Sequence, residues 1–114
     1  MALTLPVTSE EFVALDPADI AAGLLEEYGE GGELRLDTAT FLVVQRLDGD
    51  GGLSAGRRRQ AALAVSEACN LLERVGAACH KPDSDDARDL LITMRGQQFR
   101  AAEDPAAELR AAAA

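Results

Sequence analysis

A line of apolar residues at alternating spacings of four and three places the strongest constraint on how this chain can fold. We call this line the seam, and it consists of Ala61, Val65, Ala68, Leu72 and Val75. Such spacing puts side chains on one face of an α-helix, where they pack against other helices. Ser54 is a favourable capping residue before the seam, and Gly76 follows it. The sequence therefore predicts one long central helix over about 54–76.

Breaks at proline and glycine divide the rest of the chain into shorter helical segments. Asp16-Pro17 predicts a helix start, and the apolar spacing from Ile20 to Tyr28 predicts one buried face before the glycines at 29–32. A further helix is expected from Ser84 to about Ala102, in which Gly96 costs about 1 kcal/mol relative to alanine. These segments predict an all-α fold, a compact bundle of four to five helices.

The segment 33–47 is the least decided part of this prediction. Phe41, Val44 and Leu47 recur at helical spacing after Asp37, a good capping residue, which favours a short buried helix over about 38–47. However, Leu34-Arg35-Leu36 alternates as a strand does. The alternative fold is therefore α+β, with a short strand or hairpin within 33–47.

Length and composition predict one domain without a membrane segment. The chain has 114 residues, of which 47% are hydrophobic and 4% aromatic, so the core is aliphatic and rich in alanine. We expect a single helical domain over 1–104 and an alanine-rich C-terminal tail over 105–114, after the break at Asp104-Pro105. No apolar run reaches the length that a membrane span requires. Cys69 and Cys79 are expected to be reduced thiols, which indicates a cytoplasmic protein.

Negative charge is concentrated in the first half of the chain. Residues 1–50 contain eleven acidic and two basic residues, whereas residues 51–114 contain nine of each, so the first half carries the whole net charge of −9. Such a charge disfavours direct binding to nucleic acid. An acidic face can instead recognise a basic surface on a partner protein, although solubility alone also explains it. The predicted acidic partner-binding residues are Glu10, Glu11, Asp19, Glu26, Glu27 and Glu30.

Arg57, Arg58 and Arg59 form the densest basic cluster, at the start of the long helix. Cations at this end oppose the helix dipole, so they are not placed there for helix stability. Either they bind an anionic group of a partner, or they pair with the acidic half of their own chain. We include them among the predicted partner-binding residues.

No motif predicts catalysis, a metal or another cofactor. The loop Asp48-Gly49-Asp50-Gly51-Gly52 resembles the middle of an EF-hand calcium loop, but Arg46 and Arg57 stand at the first and last ligand positions and would repel the ion. Cys79 and His80 are adjacent, an arrangement that rarely orients a nucleophile towards its base. The chain is therefore expected not to be an enzyme.

Two functions remain from the sequence. The first is a non-enzymatic acidic protein-binding module, an inhibitor or adaptor that recognises a basic surface. The alternative is a structural subunit of a larger assembly, such as a phage-derived one, in which the seam packs against neighbouring subunits or a second copy.

Overall fold

The computed structural model describes residues 15–36, 39, 43, 55–85 and 89–114. Within these ranges the chain is mostly helical and contains a small three-stranded antiparallel sheet. The helices are α1 (Pro17–Tyr28), α2 (Ala55–Arg74), α3 (Met94–Ala101) and α4 (Pro105–Ala113), and the strands are β1 (Glu33–Arg35), β2 (Ala78–His80) and β3 (Asp89–Ile92). The all-α prediction is therefore wrong about the sheet, and the fold is compatible with the α+β alternative.

The segment 33–47 begins as a strand, and three further residues of it that the structure describes are helical. β1 occupies its first three residues, and Leu36, Ala39 and Val43 are helical. Ala39 and Val43 are buried in the core, as the predicted helix over 38–47 requires. The rest of that predicted helix lies outside the described residues.

The sheet joins parts of the chain that are far apart in sequence. Its order is β1-β3-β2, and Leu34 of β1 lies opposite Leu90 of β3. Leu34, Leu90 and Ile92 are buried against the helices. The predicted helix from Ser84 is wrong over β3, because Leu90 and Leu91 pair with strands on both sides instead of forming a helical face.

Helix α1 is enclosed by the rest of the domain. Asp16 caps it, Pro17 occupies its first turn, and residues 18 and 20–25 are all buried. It contacts α2, α3, α4 and β1, so the middle of the helix is covered on nearly every side. The sequence predicted one buried face, whereas the small residues Ala21, Ala22 and Gly23 allow neighbours to approach on the other sides as well.

Helix α2 confirms the predicted long helix. It begins one residue later and ends two residues earlier than the predicted range of 54–76. All five seam residues are buried in the single hydrophobic core, with exposures between 0 and 8%. The seam is therefore covered by the chain's own elements. Gly76 adopts the positive φ of 80° that lets the chain turn from α2 towards β2.

The C-terminal residues pack back onto the first helix. Thr93 caps α3, Asp104 caps α4, and Pro105 begins α4. Leu109 of α4 has no exposed surface and lies in the same core as α1. The segment 105–114, predicted to be an alanine-rich tail, thus supplies a core residue. None of the described helices is long and apolar enough to cross a lipid bilayer.

Candidate functional site

The predicted acidic residues divide between the two ends of α1. Glu10 and Glu11 lie outside the described residues. Asp19 is in the first turn of α1, Glu26 and Glu27 are in its last turn, and Glu30 is in the turn that follows. The structure therefore separates Asp19 from the three glutamates by most of the length of a helix.

At the N-terminal end of α1, the carboxylates are ion-paired within the chain itself. The Asp16 carboxylate accepts a hydrogen bond of 3.0 Å from the Asp19 backbone N–H, and the Asp19 carboxylate accepts one of 3.4 Å from the Asp16 backbone N–H. Arg110 of α4 lies 2.9 Å from the Asp16 carboxylate and 3.2 Å from that of Asp19. Partial burial raises the pKa of Asp16, but the hydrogen bonds from Asp19 and Arg110 outweigh it and hold the pKa below its ordinary value.

The C-terminal end of α1 carries three further carboxylates. Glu26 is half-buried, Glu27 and Glu30 are exposed, and the last turn of the helix contains no basic residue. Within the described part of the chain, neither Glu26 nor Glu30 forms an ion pair. Carboxylates at this end oppose the helix dipole, at a cost of some tenths of a kcal/mol each. We call Glu26, Glu27 and Glu30 the acidic end of α1.

Two polar residues of α3 hold the acidic end in place without neutralising it. The Gln97 side-chain amide donates a hydrogen bond of 2.6 Å to the Gly29 carbonyl oxygen. The Arg100 side chain packs against Gly29 so closely that a Cβ at Gly29 would collide with it. The Nε of Arg100 is buried with no hydrogen-bond partner in the described residues. The acidic end is thereby anchored to the body of the domain.

The basic cluster lies elsewhere. Arg58 and Arg59 are exposed in the first turns of α2, and Arg57 is half-buried. Arg57 lines a groove of about 370 Å³ together with Pro17 and Ile20 of the first half of α1. None of the three glutamates of the acidic end lines this groove. The structure therefore does not bring the two predicted charge clusters into one groove.

Ion pairs on the sheet were not expected from the sequence. Arg35 lies 2.7 Å from Asp89, and Lys81 lies 3.1 Å from Glu33. Ser84 donates a hydrogen bond of 2.6 Å to Asp89. These contacts join residues up to 54 positions apart, so no local sequence signal marks them.

The thiols and the histidine form no nucleophile–base pair within the described residues. Cys69 is buried, and its removal from water, followed by the charge of Glu73, raises its pKa to about 12. Cys79 and His80 are consecutive in β2, so their side chains point to opposite faces of the sheet. The His80 Nε2 lies 2.8 Å from the Ser84 carbonyl oxygen.

A metal site was not predicted from the sequence. The described residues contain no group of three or more histidine, cysteine or acidic residues able to hold a metal ion. The calcium-loop resemblance at 48–52 lies outside the described residues.

No protein-family model, curated protein or solved structure matches this chain. Two groups among the described partner-binding residues lie at helix ends where their charge opposes the helix dipole. They are the acidic end of α1 and the exposed arginines at the start of α2.

Proposed function

We propose that the chain is a non-enzymatic protein-binding module that recognises a basic surface of its partner through the acidic end of α1. One contrast supports this proposal most directly. Asp16 and Asp19 are bonded to Arg110, whereas Glu26 and Glu30 have no ion pair among the described residues and oppose the helix dipole. Glu26 and Glu30 therefore lower helix stability without forming an ion pair among the described residues, so their carboxylates are available to a basic partner.

The rigidity of α1 suits it to this role. Its middle is buried on nearly every side, and Gln97 fixes its C-terminal carbonyl. The backbone that presents the glutamates is therefore already ordered before binding, which lowers the entropy cost of association. Negative charge grouped at one end also steers a basic partner during approach, an effect that salt weakens.

A charge-matched pair of triple variants tests this proposal. One carries Glu26→Gln, Glu27→Gln and Glu30→Gln, and the control carries Glu67→Gln, Glu73→Gln and Glu103→Gln, so both lose the same charge. A partner captured by chemical cross-linking in the native host is purified, and surface plasmon resonance then measures its association and dissociation rates. We expect the first variant to associate roughly tenfold more slowly, with little change in dissociation. Equal loss in both variants, or loss in neither, would contradict the proposal.

A second candidate function, binding to duplex DNA, is favoured by the order of the elements. In chain order, α1 and β1 are followed by the helical residues Leu36, Ala39 and Val43, then by α2 and the β2–β3 pair, with β1 on the open edge of β3. Winged helix-turn-helix domains share this order, a likeness that does not by itself assign a function. In helix-turn-helix proteins, the start of the second helix contacts base edges in the major groove, and Arg58 and Arg59 are exposed at the start of α2.

A matched pair of single variants on α2 tests this second candidate. Arg59→Gln and Arg74→Gln remove the same charge from exposed positions at opposite ends of the helix. Fluorescence anisotropy with a labelled duplex of mixed sequence measures binding at several salt concentrations. If α2 binds DNA, Arg59→Gln weakens binding several-fold and lowers the salt slope by about one, whereas Arg74→Gln changes little. Absence of duplex binding by the unmodified chain at low salt rules the candidate out.

The assembly alternative needs a surface other than the seam. All five seam residues are already buried in the core of the chain itself. An association between copies would therefore have to use a face that the fold leaves open.

A further inference from the structure

A groove of about 460 Å³ lies between α3 and α4, wholly within described residues. Phe99 and Ala102 line it from α3 and the following turn, and Ala111 and Ala112 line it from α4. Ala111 and Ala112 are exposed, and Met94, which is 84% exposed, lies one turn before the groove residue Gln98. Small side chains along the groove leave room for another backbone to approach closely.

The two walls of the groove carry opposite charges that do not meet. Arg95 lines one wall and Glu108 the other, and they form no ion pair with each other. Glu108 is exposed and has no cationic partner in the described part of the chain. The groove therefore has a positive side and a negative side, each able to accept an opposite charge.

Arg95 is held in a fixed position on its wall. Its Nε donates a hydrogen bond of 2.7 Å to the Val75 carbonyl oxygen, and its guanidinium carbon lies 5.1 Å from the centre of the Phe99 ring. These contacts use one donor and one face of the guanidinium, and the Nη groups have no carboxylate partner among the described residues. A carboxylate from another molecule would meet a preorganised cation.

We propose that this groove is the interface of a homodimer, in which a second copy of the chain docks with its own α3 and α4. A two-fold axis that runs parallel to the groove places each wall opposite the other wall of the partner, which makes the patch self-complementary in charge. Arg95 of each copy then faces the glutamate at position 108 of the other copy. The dimer therefore contains two equivalent ion pairs between the copies. A partner with one charge sign would satisfy only one wall, which favours a second copy over the basic partner proposed above.

Charge reversal and rescue test this inference on the full chain. Analytical ultracentrifugation across concentrations from about 1 to about 200 μM measures the dimer dissociation constant of the unmodified chain, of Arg95→Glu and of Glu108→Arg. Each single variant places like charges opposite each other at two points, so we expect the dissociation constant to rise at least about tenfold. Mixing the two single variants restores opposite charges at both points, and dimers should re-form at nearly the original affinity. Loss of folding cannot produce this rescue.

A second pair of variants checks the groove without altering Arg95. Ala111→Arg places a bulky cation in the groove, whereas Ala107→Arg places one on an exposed position of α4 outside it. We expect only Ala111→Arg to abolish the dimer, and both variants to melt as the unmodified chain does at a concentration low enough to keep all three chains monomeric. A chain that stays monomeric over the whole concentration range, a dimer that survives Ala111→Arg, or a mixture that fails to re-form dimers would each overturn the inference.

Discussion

Replacing Gly96 with alanine separates helix propensity from packing, because the two predict opposite signs. Gly96 lies in the first half of α3, where propensity alone predicts that alanine stabilises the protein by about 1 kcal/mol. In the structure, a Cβ at this position would collide with the Ala77 carbonyl oxygen and would lie 2.7 Å from Cγ2 of Ile92. Gly96 therefore serves as the point of close approach between α3 and the sheet.

The clash at Gly96 cannot be relieved cheaply. The Ala77 carbonyl oxygen already accepts a hydrogen bond of 3.0 Å from the Thr93 N–H, which ties the start of β2 to the end of β3. Moving it costs about 1 kcal/mol for that bond, and overpacking of this kind typically costs 1–3 kcal/mol. After the gain in propensity is subtracted, we expect Gly96→Ala to lower the free energy of unfolding by about 1–3 kcal/mol.

Urea unfolding followed by circular dichroism measures this change, and Gly31→Ala is the matched control. A Cβ at Gly31 would find one neighbour, the Tyr28 carbonyl oxygen at 3.9 Å, and its φ is not positive. We expect the control to be neutral or to stabilise the protein by about 0.4–1 kcal/mol. If Gly96→Ala were as stable as the unmodified chain, the close approach of α3 to the sheet would be wrong.

Burial and charge also determine the expected results of three simpler measurements. Ala68→Leu adds methylenes at a fully buried seam position and should lower stability by about 1–3 kcal/mol in a thermal melt of the monomer, and an unchanged melt would refute the internal seam. A thiol reagent at pH 8 should label Cys79 at once and Cys69 only after unfolding, since burial raises the pKa of Cys69 to about 12, and two fast thiols would contradict this. The folded pKa of Asp16 lies below its ordinary value of 3.8, so its contribution to stability is present above that pH and is lost as the pH falls through the folded pKa. Arg110→Gln should therefore be less stable than the unmodified chain at pH 7, with a difference that shrinks in acid, and a difference independent of pH would count against the bond to Asp16.

The long helix was predictable because its signal is local. Five apolar residues repeat within 15 positions between Ala61 and Val75, and the helix forms its own hydrogen bonds within that stretch. The two charge clusters at helix ends could likewise be found from the position of charges relative to predicted caps.

The sheet could not be predicted from the sequence in the same way. β1 and β2 have three residues each, and the central strand β3 has four, too few to show a period of two. Leu90 is paired with Leu34, 56 residues earlier, and this contact decides the strand conformation. Leu90 and Leu91 alone are equally compatible with a helix face, so the long-range partner overrides the local pattern.

The distinction between Asp19 and the glutamates of α1 also needed the structure. In the sequence they are equivalent acids on or just after one helix, but Arg110 pairs only with the carboxylates at the start of that helix. Arg110 is 94 residues from Asp16, and no local spacing indicates that α4 returns to this end of α1. The sequence therefore predicted the acidic end of α1 together with Asp19 as one group of partner-binding acids. The structure places Asp19 at the opposite end of the helix, where it is paired with Arg110.

The return of α4 to α1 has a consequence for how the protein is made on the ribosome. Helix α1 is synthesised well before α4, but part of its apolar surface is covered by α4 and its residue Leu109. Until α4 has left the exit tunnel, the nascent chain exposes that surface and cannot complete its core. A stop codon just before Pro105 would therefore yield a product bound by chaperones or degraded, even though it would retain α1, α2 and the whole sheet.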